Sequence, residues 1–138
     1  MPPTHTCMSC HSQIWNDSPA LAPVRESYAT GIPIAWNEVH RVPDYAYFNH
    51  SIHVQKGFGC SECHGQVDDM TLMYKAEPMT MEWCLDCHRN PQDRIRPVEE
   101  VFNMDYVHPP NQAELGLQLL AAYNIPHKDL TQCYVCHR

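Results

Sequence analysis

Four times in this chain a Cys-x-x-Cys string is followed at once by His: Cys7-Met8-Ser9-Cys10-His11, Cys60-Ser61-Glu62-Cys63-His64, Cys84-Leu85-Asp86-Cys87-His88 and Cys133-Tyr134-Val135-Cys136-His137. Two thiols three positions apart lie on one side of a helical turn. There they can add to the two vinyl groups of a haem, while the next residue swings an imidazole under the ring to bind iron. Ten of the 138 residues are His, so four successive hits by chance have a probability of about 3 in 100,000. Zinc sites, thioredoxin-like redox pairs and disulfides also use Cys-x-x-Cys, but none needs the trailing His. All eight Cys are consumed by the motif. The reading is four covalent haem c groups, on Cys7, Cys10, Cys60, Cys63, Cys84, Cys87, Cys133 and Cys136, with His11, His64, His88 and His137 as proximal iron ligands.

Haems at this density change what the chain must do for itself. With 12 Pro, three Phe and three Trp, the polypeptide is poorly equipped to build a core alone. The expected fold is mainly irregular with short α-helices, a single domain over residues 1–138 whose core is built from the covalently bound haems. No alternating pattern argues for a substantial sheet. The formal charge of −7 omits the haem propionates, which add up to roughly −2 per haem when ionised. An acidic surface excludes nucleic acid as a partner and permits a basic one.

No stretch approaches the length of a membrane span; the best apolar run, Leu115 to Tyr123, includes Gln118. No signal peptide is visible before the first motif. Since c-type haems are attached outside the bacterial inner membrane, the expectation is an exported protein on the periplasmic side, with an upstream export or anchor segment in its precursor.

Cys60 lies 49 positions after His11, Cys84 lies 20 after His64, and Cys133 lies 45 after His88. The long spacers are expected to supply the second ligand of each iron. Pro19, Pro23, Gly31 and Pro33 make residues 16–33 read as irregular chain. A short helix or turn is expected after Pro43-Asp44, closing at Gly57 and Gly59. On it His50 and His53, three apart, share one side and can face two different discs. Asn111-Gln112-Ala113-Glu114 resembles a capping box opening a helix through Leu115, Leu119, Leu120 and Tyr123 to Pro126, with Gly116 weakening it a little.

Six His remain for at most four distal places: His5, His40, His50, His53, His108 and His127. His50, His53 and His40 rank first. His108, before Pro109-Pro110, His127, after Pro126, and His5, two residues from Cys7, compete for the last place. Met79 and Met81 are alternative thioether ligands, more in keeping with packing beside Trp83. Arg89, Arg94 and Arg96, read as exposed, could dock a partner or pair with propionates, with propionates favoured.

The stretch Phe48-Asn49-His50-Ser51-Ile52-His53, leading to Cys60 and His64, resembles class III multihaem cytochromes. That resemblance implies that His50 ligates the haem on Cys60, Cys63 and His64, and His53 a different haem. A broader likeness runs through MPPTHTCMSCHSQIW, PDYAYFNHSIHVQKGFGCSECHG, MEWCLDCHRNP, the segment around Val98 to Phe102 and LTQCYVCHR. Together these are similar to the pentahaem cytochrome subunit of alternative complex III. The likeness implies an electron-transfer subunit, not itself catalytic, in a membrane-bound quinol oxidoreductase. Its implied partners are an iron–sulfur, quinol-oxidising subunit and a small cytochrome c or similar periplasmic carrier, with membrane association through partners or an anchor outside this sequence. The family's fifth haem motif and its distal His pair do not occur here. The chain therefore reads as a tetrahaem relative or as a piece of a pentahaem protein whose remainder supplies a distal His. A free-standing or filament-forming tetrahaem cytochrome is the alternative, and a multihaem reductase ranks below both.

Overall fold

The computed structural model describes residues 3–126 and 128–137. The chain divides into two compact units, Met1–Glu38 and Val39–Arg138. Secondary structure among the described residues is short and helical. The α-helices are α1 (Thr4–His11), α2 (Ala22–Thr30), α3 (His50–Gln55), α4 (Cys60–His64), α5 (Met81–Arg89), α6 (Gln112–Ala122) and α7 (Cys133–Cys136). Single 3-10 turns cover Pro19–Leu21, Pro91–Asp93 and Val98–Glu100. The β-structure is one isolated antiparallel bridge, Phe58 to Ile95. The expectation of an irregular chain with short helices holds.

In the first unit α1 packs on α2, with Met8 buried and the Ser27 hydroxyl donating to Thr4 Oγ1 at 3.3 Å. The segment expected to be irregular, 16–33, is in fact largely helical. Two of its three prolines occupy first-turn positions, Pro19 in the 3-10 turn and Pro23 in α2, where a missing N–H costs nothing, and Pro33 lies in irregular chain beyond α2. Gly31, at φ 73°, ends α2 in the left-handed region that glycine enters freely. The same residues that punctuate loops here begin and end a helix.

The second unit is organised around α6 and the turn Pro91–Asp93. Ile95 and Val101 are fully buried, and Leu120 of α6 nearly so. Gly116 is buried on the face of α6 that meets this turn, where a Cβ would fall 2.0 Å from the Gln92 carbonyl oxygen. It therefore permits the closest approach in the unit, which outweighs its cost to the helix. The Gln112 amide donates to the carbonyls of Gln92 and Ile95, both at 2.8 Å. Asn111 does stand at the start of α6, but its side chain makes no capping bond. The helix is held by its packing, and the expected capping box does not form.

This protein-only core is small, and many large side chains face outward, among them Trp15, Trp36, Tyr45, Tyr47 and Phe48. Those side chains offer apolar surface to large flat cofactors.

Gly116→Ala is expected to destabilise the holoprotein by about 1 to 3 kcal/mol through overpacking, despite alanine's better helix propensity. Denaturant unfolding monitored by far-UV circular dichroism checks this; equal or greater stability would contradict the close approach.

Candidate haem and iron-ligand sites

All four motifs lie on helical turns: the first closes α1, the second forms α4, the third lies in α5 and the fourth forms α7. In each, the two Cys share a side of one turn and the His follows directly. No disulfide joins any of the eight cysteines. Burial pushes the Cys63 thiol up to about 12, with Cys87, Glu62, Cys84 and Glu77 adding to the rise. Burial likewise raises Cys87 to about 11, against the opposing pull of Arg94. Cys84 is raised too, by burial and then by Cys136. Two Cys on one side of a turn with His next in sequence is the donor set of covalent haem. Among the described residues no group of three or more His, Cys, Asp or Glu converges as an ion site.

The imidazoles carry the more specific signal. His11 Nδ1 lies 3.0 Å from the Ile14 carbonyl, His88 Nδ1 2.9 Å from the Leu130 carbonyl, and His137 Nδ1 3.0 Å from the Tyr45 carbonyl. His53 Nδ1 lies 2.9 Å from the Asn49 carbonyl. A carbonyl only accepts, so Nδ1 carries the hydrogen and Nε2 keeps its lone pair for a metal. This is the outer-shell bond that orients metal-binding histidines. Three of the four proximal candidates have it, and so does one distal candidate.

Two imidazole pairs have the spacing of ligands on opposite sides of one iron. A ring nitrogen binds a first-row metal at about 2 Å and the ring centre lies about 1 Å behind it, so trans imidazoles have centres about 6 Å apart. His50 and His64 have ring centres 6.1 Å apart at an interplanar angle of 7°. His53 and His88 are 6.2 Å apart at 25°. His50 and His53 both come from α3, whose first turn is capped by Asn49 Oδ1 accepting from the Ser51 N–H at 2.9 Å. Phe48 packs on both rings, 4.6 Å from each. Burial, then the His40 and His50 rings, holds the His64 imidazole below its usual pKa. Burial lowers His53, opposed by its bond to Asn49 and reinforced by His88 and His50. Neutral imidazole is the ligating form.

The other candidates are placed differently. His40 meets His64 edge to face at 4.6 Å, too close for trans ligands, and its Nε2 is buried without a partner. His108 Nε2–H donates to Glu62 Oε1 at 2.8 Å, so that nitrogen is engaged, while its Nδ1 is buried and unpartnered. His5, on α1, is exposed and lies beside Tyr28. The ring facing His11 is Trp15, 6.2 Å away at 18°, and an indole nitrogen has no lone pair to offer. His127 lies outside the described residues. Met81 is exposed at the start of α5, and Met79 precedes its capping residue, Thr80. Of the three arginines, Arg89 pairs on the surface with Glu82 and Asp86, and Arg94 with Glu62. Arg96 is not exposed as expected: its side chain is 1% accessible and pairs with Glu62. The carbonyl acceptors and the engagement of Glu62 had no sequence signal, because they depend on chain packing.

Residues 46–138 match the family of cytochrome c7 and related cytochrome c, and the chain belongs to it. The match takes in the second, third and fourth motifs and both imidazole pairs. A multihaem cytochrome c of electron-transfer type is therefore the class that sequence and site define, with covalently bound haem c. The multiheme cytochrome c subunit of menaquinone reductase from Nitratidesulfovibrio vulgaris (strain Hildenborough) is 32% identical over 111 residues, which cover 65% of this chain and 53% of that protein. The chain thus spans about half the length of the curated relative it matches.

Asn49→Ala should cost about 1 kcal/mol of stability by removing the α3 cap, while leaving the backbone acceptor of His53 in place. Thermal unfolding of the holoprotein should show a lowered Tm with an unchanged visible spectrum. An unchanged Tm would show that the cap does not hold α3.

Proposed function

We propose that the chain is an electron-transfer subunit of a quinone-linked membrane oxidoreductase, carrying haem c at each of its four motifs. What supports this most is the pair of near-parallel imidazole pairs, His50 with His64 and His53 with His88, whose spacing suits two six-coordinate irons. Bound haem supplies one-electron redox chemistry. Cys60 and Cys63 would hold one group between His64 and His50, and Cys84 and Cys87 another between His88 and His53. With His50 and His64 holding one iron and His53 and His88 another, neither would offer a substrate an open position, which favours electron relay over reduction of a small molecule. Because His50 and His53 are three residues apart, about 4.5 Å along the helix axis, the two groups they hold would be neighbours.

His40 is assigned to the fourth iron, opposite His137. Its buried Nε2 is free, and the chain just beyond it is tied to that motif, with the Tyr47 N–H donating to the Cys136 carbonyl at 2.7 Å and His137 held by the Tyr45 carbonyl. His11 would hold the first iron, and a segment outside this sequence could supply its second ligand. We place the subunit on the periplasmic side of the inner membrane, in a complex like alternative complex III. Among the described residues no helix is long and apolar enough to cross a membrane, so attachment would run through partner subunits or a segment outside this sequence. In that setting an iron–sulfur, quinol-oxidising subunit donates electrons and a small periplasmic carrier accepts them. The name menaquinone reductase attaches the relative to the same class of quinone chemistry with electrons running the other way, and the potentials of the electron donor and acceptor set the direction.

The test is carbon monoxide binding to the reduced holoprotein. Wild type should show low-spin bands with the second, third and fourth haems unreactive. His50→Ala, His53→Ala and His40→Ala should each open one further haem to carbon monoxide, and a wild type that binds it at those three sites would overturn the assignment.

A further inference from the structure

Arg96 is the largest fully buried side chain among the described residues, and the residues around it belong to the second haem motif. A buried guanidinium costs several kcal/mol unless its donors are met; here both terminal nitrogens are bonded, while Nε is buried without a partner. One terminal nitrogen donates to the Asn103 carbonyl at 3.1 Å; the other donates to Ser61 Oγ at 3.2 Å and to Glu62 Oε1. Ser61 and Glu62 are the two residues between Cys60 and Cys63. The Tyr106 ring lies 4.5 Å from the guanidinium carbon. Glu62 is itself 13% exposed and also receives His108 and Arg94.

The backbone repeats this linkage. The Arg96 N–H donates to the Gly57 carbonyl at 2.9 Å, and the Cys60 N–H donates to the Val101 carbonyl at 3.2 Å. Gly57 is at φ 81°, and a Cβ there would lie 2.4 Å from the Arg96 carbonyl oxygen. At Gly59 a Cβ would lie 2.3 Å from the guanidinium carbon, so the guanidinium rests on bare backbone one residue before Cys60. Residues 56–59 are the whole connection between α3, which carries His50, and α4, which carries His64. The connection is therefore fixed at both ends by one residue.

We propose that Arg96 is the positioning residue of the second haem site, setting the His50 ring against the His64 ring through its hold on Gly57, Gly59, Ser61 and Glu62. This rests on His50 and His64 sharing an iron. The planar fork meets Ser61, Glu62 and Asn103 at once, which a lysine ammonium on a flexible stem cannot reproduce. Its range is local: His88 takes its orienting bond from Leu130, and His137 from Tyr45.

The 7° angle of the His50–His64 pair gives a readout beyond stability, because the electron paramagnetic resonance spectrum of a low-spin ferric haem depends on the angle between its two imidazole planes. The holoprotein with its full haem complement is compared with Arg96→Lys, Arg96→Gln and Gly59→Ala, the last displacing the guanidinium without removing its charge. His50→Ala identifies the signal of the second haem, and if that signal is not of the two-imidazole type in wild type, the shared iron fails before any Arg96 variant is read. Given that signal, all three variants should shift or split it while the other haem signals and the haem stoichiometry stay as in wild type. An unchanged second-haem signal in Arg96→Lys and Arg96→Gln would overturn the proposal. Equal disturbance of every haem, or failure of all three variants to accumulate holoprotein when His50→Ala does, would overturn it too, since Arg96 would then serve the whole unit.

Discussion

Two imidazoles of one short helix, each set about 6 Å from an imidazole of a different motif, impose the strictest geometric demand in the second unit. The His50 ring lies 6.1 Å from that of His64, and the His53 ring 6.2 Å from that of His88. The residues lie three apart, so both can project from one side of α3 only while it stays helical. A six-residue helix is far below the length that is stable alone, and α3 is held from outside. Asn49 caps its start, the Lys56 ammonium donates to the Tyr123 carbonyl just past its end, and the Phe58 N–H returns to the His53 carbonyl at 3.0 Å. Tyr123, the C-cap residue of α6, thereby anchors α3.

The chain's energetics follow from how little apolar surface it encloses by itself. In the second unit the fully enclosed side chains are Ile95, Val101, Pro91 and a charged one, Arg96. A buried ion pair is weak evidence for stability, since two apolar residues of similar size often serve as well. Its value here is directional. Carbon side chains could fill the same volume, but they could not fix the orientation of Ser61 and Glu62 inside a five-residue motif. The polar contacts of Ser61 and Glu62 constrain the turn that carries Cys60 and Cys63.

The motif positions were readable from spacing because covalent chemistry demands that spacing wherever the chain goes. The helical placement of all four, and the shared side of His50 and His53, follow from helix periodicity alone. Other features depended on packing. Pro19, Pro23 and Gly31 are equally good signals for a loop and for the ends of a helix, and contact between α1 and α2 decides for the helix. Gly116 reads as a weak point in α6 until the Gln92 carbonyl is seen against it. Arg96 and His108 read as surface or ligand residues, because nothing local announces that Glu62, more than thirty positions upstream, lies within reach of both.

The family match and the division of the chain fall at nearly the same place, residue 46 for one and residue 39 for the other. Both imidazole pairs and three motifs lie on the far side of that boundary. The first motif follows different local rules. His11 takes its orienting bond from Ile14, within its own turn, and faces Trp15, held at φ 54° in the left-handed region that bulky residues rarely enter. An indole there can shape the surroundings of an iron and cannot ligate it. Trp15 thus takes, beside His11, the place that an imidazole takes beside His64 and beside His88.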